Sequence, residues 1–456
     1  MTRSSHTPGT GPPAGNGLLV RAGMVLPIAG PPIPDGALRV RAGEITAVGP
    51  AAALPPEPGE TVLDLPDCIL LPGLVNAHCH LELGGLAGRV PYPGSFPQWV
   101  LSLISHERPD AMGVERAVAA GVRALLAGGA TCVGDITTTG LTREPLQRAG
   151  IRAVSCRELL GLSPDRVGPA LAEARAWLRR GEEGMGSVGS EAIPDFPHFP
   201  YCPHSRHSHL EGAPDCSRVR PGLSPHAPYS TAATTYREAA RLAQASSAPF
   251  ATHLSESMDE IEFVARGEGG FAALLRARGI PLDSWDPPGC SPVRCLADLG
   301  VLDVLGAAAH VNYLLPGDLE LLAAGRLVPV YCPGSHRFFG HPPHPAGEML
   351  RAGIPVALGT DSLASNDRLH MLAEARAAWQ AVPGTSAADW IRAATANGAR
   401  ALGLGEACGT LEPGKRADLV AIHPGARARD PHEAALSPGS QVRLATVDGE
   451  MLHEQR

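Results

Sequence analysis

Lysine is almost missing from this sequence: of 38 basic residues, 37 are arginines and one is Lys415. A Schiff-base lysine, a phosphate-loop lysine or a carbamylated metal-bridging lysine could therefore only be Lys415, which nearly excludes those mechanisms. Long apolar runs are also missing. None approaches the ~20 residues that a membrane helix needs, so no membrane association is expected. There is no basic block, and the net charge is 38 − 46 = −8, which argues against nucleic acid as a partner. Aromatic residues make up only 4% of the chain. The ten cysteines (68, 79, 132, 156, 202, 216, 290, 295, 332 and 408) follow no regular spacing. Residues 1–16 are rich in Pro, Gly, Ser and Thr and lack the apolar centre of a signal peptide. They read as a disordered lead-in to a cytoplasmic protein whose thiols are reduced and mostly buried.

What remains is ordinary for a globular chain: 456 residues, 44% apolar and 18% charged, enough to bury a large core without staples. Residues 17–70 read as short strands at 18–22, 37–42, 45–48, 62–65 and 68–71, with Pro66-Asp67 separating the last two. From 71 to 404 the pattern becomes strand, loop, helix, repeated. Eight candidate strands lie at 74–77, 130–134, 151–154, 220–224, 249–252, 307–310, 328–331 and 355–359. Amphipathic helices fill gaps between them at 114–127, 169–179, 232–245, 258–266 and 371–380. This predicts an α/β fold, a (β/α)8 barrel of the TIM type. Residues 405–456 return to strands at 409–411, 417–422 and 442–447. Both termini then build one small β-sandwich beside the barrel. Residues 181–220 break the rhythm and read as a long surface loop. That loop holds Cys202, His204, His207, His209 and Cys216, which match no regular zinc-ligand spacing.

Chemistry-bearing residues recur where the apolar strands stop. His78 and His80 follow the first strand, and residues two apart in an extended backbone share a side. His226 follows the fourth strand, His253 and His310 end the fifth and sixth, and Asp361 follows the eighth. In a barrel these strand ends form one face, where active sites lie. Scattered core histidines would not all choose that position.

The run Leu71-Pro72-Gly73-Leu74-Val75-Asn76-Ala77-His78-Cys79-His80 resembles the opening signature of the amidohydrolase superfamily. Pro413-Gly414-Lys415-Arg416-Ala417-Asp418-Leu419-Val420 resembles its closing one. The chain is similar to the branch of adenosine-type, S-adenosylhomocysteine and guanine deaminases and chlorotriazine hydrolases. That resemblance implies His78, His80, His253 and Asp361 as ligands of a divalent metal, zinc ahead of iron or manganese. It implies one metal per chain, because no lysine at the fourth strand is available to bridge two. It implies Glu256 as proton shuttle, His310 as the group orienting or deprotonating the attacking water, Asp361 as acceptor of that water's proton, and His226 as a substrate contact.

Two segments bear on the substrate. The first is 94–100, with Phe96 and Trp99; the second is 331–343, with His336 where most relatives carry asparagine. They are similar to the aminodeoxyfutalosine deaminase group, whose substrate is an adenine nucleoside with a benzoate-bearing chain. Arg337 is then either the partner of that carboxylate or a solvated loop residue. Trp99, Phe96, Phe338 and Phe339 either wall a flat heterocycle or pack in the core. Ser362, Ser365 and Asn366 either hydrogen-bond substrate or cap a helix. The expected function is hydrolytic deamination of an adenine-type nucleoside, a small heterocyclic substrate. The alternatives are hydrolysis of another C–N or a C–Cl bond on a triazine- or guanine-type ring, and a non-catalytic metal-binding relative. A homo-oligomer is a family-level expectation only.

Overall fold

The computed structural model describes residues 17–107, 109–182, 218–282, 285–426 and 428–455. The lead-in, most of the 181–220 loop and its His/Cys cluster lie outside the described residues.

Eight parallel strands, hydrogen-bonded in chain order, form the barrel: β5 (Leu74–Cys79), β6 (Ala130–Thr137), β7 (Arg152–Leu159), β8 (Val219–Pro225), β9 (Phe250–Leu254), β10 (Gly306–His310), β11 (Leu327–Tyr331) and β12 (Ala357–Leu358). Each coincides with one of the eight candidates. Most are buried along their whole length, as parallel strands covered on both faces must be. The ring closes through a single parallel bridge, Cys79 to Asp361, with the Asp361 N–H donating to the His78 carbonyl at 3.1 Å. Two candidate metal ligands therefore sit on the seam itself.

Local chemistry sets the helix limits. In Ala111–Ala127 the apolar residues Val114, Val118, Val122 and Leu125 recur on one face, and Asp110 caps the start by accepting from the Gly113 N–H at 2.7 Å. Met258–Arg266 starts at Ser257, whose hydroxyl accepts from the Glu260 N–H, and stops at Gly267 with φ 71°. One end of the barrel is closed by Leu402, Leu404 and Cys408, packed on Val75, Cys132, Val154 and Val328. The strand ends that carry His78, His253, His310 and Asp361 lie at the opposite end.

Both termini join one seven-stranded mixed sheet, in the order β15-β14-β13-β4-β1-β2-β3. Its members are β1 (Leu18–Val25), β2 (Ile33–Arg41), β3 (Glu44–Pro50), β4 (Thr61–Pro72), β13 (Leu419–His423), β14 (Gln441–Val447) and β15 (Glu450–Glu454). Two details differ from expectation. Pro66-Asp67 does not end a strand: β4 runs on through a register shift against β1, where Ala22 pairs with Leu65 but Met24 with Ile69. A proline at a bulge loses no ladder bond. Residues 409–411 form no strand; Leu411 instead packs into the core of this sheet. Gly73 links sheet and barrel. A Cβ there would lie 1.9 Å from Thr131 Oγ1, so only glycine lets β4 turn into β5 so close to β6. All eight described cysteines are free and six are buried, in keeping with reduced thiols. No described helix is long and apolar enough to cross a membrane.

Sheet and barrel are also joined by buried ions. Arg152 of β7 makes a bidentate pair with Asp418 (2.6 and 3.0 Å) and reaches Asp448 at 2.6 Å. Asp448 also takes Arg218 at 2.6 Å, and Arg416. Burial raises the Asp448 pKa, but the Arg416 hydrogen bond and the Arg152 and Arg218 charges outweigh it and hold the carboxyl below its usual range. A lowered native pKa means the contribution is complete above the unfolded value of about 3.9 and is lost as pH falls through the native value. Asp448→Asn should cost about 3 kcal/mol at pH 7, as expected for breaking a buried pair. The cost should shrink below about pH 4, where the wild type loses the same term. Urea midpoints from pH 7 to 3 measure both, and an unchanged midpoint at pH 7 would refute the joint.

Candidate active site

The site is assembled from strand ends. His78 and His80 come from β5 and the residue after it, His253 from β9, His310 from β10 and Asp361 from the turn after β12. His80 Nε2 and His253 Nε2 are 3.2 Å apart. His78 Nε2 and His80 Nε2 lie 3.7 and 3.9 Å from Asp361 Oδ1. The imidazole of His78 is 4.8 Å from that of His253 and 5.3 Å from that of His310, centre to centre. The sets His78–His80–Asp361, His78–His253–His310 and Glu256–His310–Asp361 each converge to within 4.8 Å.

Backbone strain concentrates at the same strand ends. Of nine described non-glycine residues with positive φ, four lie here: Ser255 (49°), His310 (74°), Val311 (49°) and Asp361 (56°). For a β-branched residue such as Val311 this is a real outlier. Hydrogen bonds hold it in place: Val311 N–H to the Leu254 carbonyl at 2.9 Å, and Asn312 N–H to the Ser255 carbonyl at 3.0 Å. Strain kept at a constellation of polar side chains singles these strand ends out as the candidate functional site.

The supporting contacts orient the donors. The His253 Nδ1–H faces the His226 carbonyl at 3.0 Å, which leaves Nε2 as a lone pair toward the centre. Ser335 and Ser365 both donate to Asp361 Oδ2 at 2.7 Å, leaving Oδ1 for the histidines. The buried His344 donates to the His310 carbonyl at 2.8 Å. His78 Nε2 is buried and has no hydrogen-bond partner. An orphaned imidazole nitrogen beside two more ring nitrogens and a carboxylate is costly unless a cation takes it. Three imidazoles and one carboxylate suit a zinc-class divalent metal. Burial lowers the pKa of His78 and, with the neighbouring histidines, that of His253, which favours the neutral ligating form.

Glu256 is buried beside this cluster, with Oε1 3.4 Å from His310 Nε2. Burial, then the charges of Asp361 and Glu260, push its pKa well above the carboxylate range. Its backbone is fixed independently: Glu260 accepts from the Glu256 N–H at 2.7 Å, and Asn312 donates to the Glu256 carbonyl at 2.9 Å.

The structure thus brings together His78, His80, His226, His253, Glu256, His310 and Asp361. Three other candidates make no side-chain hydrogen bond or ring contact with that cluster among the described residues. Trp99 is buried against Phe339, ring centres 4.8 Å apart, and its indole N–H is turned to the Val90 carbonyl; it can offer a ligand only an apolar face. Ser362 accepts from the Ala364 N–H at 3.2 Å. Arg337 is exposed on the helix Pro333–Phe339, two residues beyond Ser335. Several residues around the site were invisible to the spacing argument: Glu260, Asn312, Ser335 and His344. Glu158 and Asp135 had a usable signal. Both lie near the C-terminal ends of β7 and β6, Glu158 four residues and Asp135 one residue past where the apolar pattern suggested an end. Burial, foremost, raises the Asp135 pKa to about 7, and the carboxyl pins the Leu81 N–H at 2.9 Å, just after His80.

The sequence model of the Amidohydrolase family matches residues 69–452, most of the chain and all of the strand ends just described. The chain belongs to the amidohydrolase family. This amidohydrolase is 29% identical over 465 residues to a 5-methylthioadenosine/S-adenosylhomocysteine deaminase of Moorella thermoacetica, covering 95% of this chain and 94% of that one. Among solved structures it is similar to a zinc-bound adenosine deaminase of Xanthomonas campestris (25% identity, TM-score 0.75, 96% and 93% of the two chains). It also shares its fold with Helicobacter pylori aminofutalosine deaminase (21% identity, TM-score 0.74, 95% and 99% coverage).

Proposed function

We propose that this amidohydrolase is a metal-dependent aminohydrolase that replaces the exocyclic amine of an adenine-type nucleoside with oxygen, releasing ammonia. One observation carries the reading: a buried carboxyl whose surroundings favour the protonated form, Glu256, stands 3.4 Å from His310 and among the candidate metal ligands. His78, His80, His253 and Asp361 would hold one divalent cation, zinc for preference. When bound, such a cation supplies water activation, lowering the pKa of water from 15.7 toward about 7. Glu256 would hand its proton to the ring nitrogen beside the reacting carbon and later help protonate the departing amine. His310, held by His344 and Glu256, would orient the attacking water. Asp361 would receive that water's proton on Oδ1, since its other oxygen is occupied by two serine hydroxyls.

The aromatic cluster of Phe96, Trp99 and Phe339 would supply an apolar wall. Arg337, exposed and without an ion pair among the described residues, would meet a carboxylate at the far end of a substrate such as aminodeoxyfutalosine. The test is ammonia release by purified protein of measured metal content. The panel is aminodeoxyfutalosine, adenosine, S-adenosylhomocysteine, methylthioadenosine, guanine and an aminotriazine, with a chlorotriazine assayed alongside for chloride. Release from an adenine nucleoside is expected. No release from any of these nucleosides by the metal-loaded protein would overturn the reading, and chloride release from a chlorotriazine would replace it with C–Cl hydrolysis.

A further inference from the structure

The proposed chemistry uses the part of the site built by β5, β9, β10 and β12. On the remaining side, β7 and β8 bring up Glu158 and His226, and Glu158 has no part in that chemistry. Its side chain is 7% exposed. Oε2 accepts from Thr138 Oγ1 at 2.6 Å. Among the described residues, Oε1 accepts no hydrogen bond; it faces His226 Nε2 at 3.9 Å, too far for a bond. Arg157, the adjacent cation, turns away to Glu173 and the Thr138 carbonyl. His226 is held from behind, its Nδ1 2.5 Å from Ser230 Oγ, with its ring 4.7 Å from that of His253. Ligand atoms of Glu158, His226 and His253 lie within 4.8 Å of one another. So the structure presents a buried carboxylate oxygen with spare accepting capacity 3.9 Å from an imidazole nitrogen, beside the candidate metal ligands.

We propose that Glu158 and His226 read one sugar hydroxyl of the nucleoside: the hydroxyl donates to Glu158 Oε1 and accepts from the Nε2–H of His226, in the tautomer whose Nδ1 accepts from Ser230 Oγ. This rests on the nucleoside reading above. Two atoms 3.9 Å apart can both lie about 2.8 Å from a single oxygen. A carboxylate only accepts, so its partner must be a donor. The ring nitrogens of adenine are acceptors and do not qualify, and the exocyclic amine is the group that leaves. The sugar hydroxyls remain. Glu158 is then a specificity-determining residue, and a deoxy analogue would leave its buried oxygen unmet.

The test compares wild type with Glu158→Ala and Glu158→Gln on adenosine, 2′-deoxyadenosine and 3′-deoxyadenosine. Affinities for inosine and its two deoxy forms are measured by calorimetry alongside. The wild type should favour the full nucleoside over one deoxy analogue by about 10- to 100-fold in kcat/KM, the range for a hydrogen bond to a charged group. Both variants should flatten that ratio in turnover and in binding, with metal content and melting temperature unchanged. Equal loss on all three nucleosides would overturn the inference in favour of a structural role. Loss of a metal equivalent would overturn it in favour of a second cation at Glu158–His226–His253. Nucleoside turnover without deoxy discrimination overturns this inference alone, whereas no turnover or binding of any nucleoside overturns the nucleoside reading with it.

Discussion

Glu256→Gln should lower kcat for ammonia release by about 10³- to 10⁴-fold, the upper range for a general acid–base group, with metal content unchanged. The substitution keeps shape and removes the proton. The loop should not move, because the Glu256 main chain is held by Glu260 and Asn312 rather than by its own carboxyl. The carboxyl is not itself one of the four donors assigned to the metal, although it lies within 4.8 Å of Asp361. The same variant separates bond types. Expelling an amine requires a proton and expelling chloride does not, so retained activity would remove both the proton-shuttle role and the preference for deamination. Stopped assays with metal analysis on the same sample decide it.

Asp361→Asn should have the second large effect. The metal bound should fall from about one per chain, as a single site of this donor set implies, to a small fraction. Ammonia release should fall by at least about 10³-fold, since water activation depends on the cation. Asparagine tolerates the positive φ of 56° and can still accept from Ser335 and Ser365, so the backbone cause is controlled. What is lost is the charge beside His78 and His80. The melting temperature should become insensitive to added zinc, because a ligand that binds only the native state stabilises by mass action. Full metal content in the variant would show that the histidines suffice and that Asp361 is not a ligand.

The barrel strands were legible because parallel strands covered on both faces appear as short apolar runs, and because a polar residue stopping such a run is conspicuous. That is how His78, His80, His253, His310 and Asp361 could be placed on one face. Strand lengths were less legible. β6 and β7 run on through Asp135 and Glu158, since a barrel accommodates buried acids at its mouth when threonine hydroxyls and main-chain N–H groups meet them. β4 runs through Pro66-Asp67 because a bulge absorbs the missing donor. Ser335 and His344 follow the seventh barrel strand, and their partners Asp361 and His310 come from elsewhere in the chain; no local pattern announces such a contact.

By itself the sequence determined the barrel, the terminal β unit, the exclusion of lysine chemistry and which polar residues stand at the strand ends. Those depend on period, composition and position along a strand, which are local properties. Only the tertiary structure decided which donor points where. It closed the ring at Cys79 and Asp361, tied one carboxylate oxygen to two serines, packed Trp99 among phenylalanines and brought Glu158 opposite His226. Each of these depends on distances between elements far apart in the chain, set by how the strands tilt and which backbone bonds hold their ends.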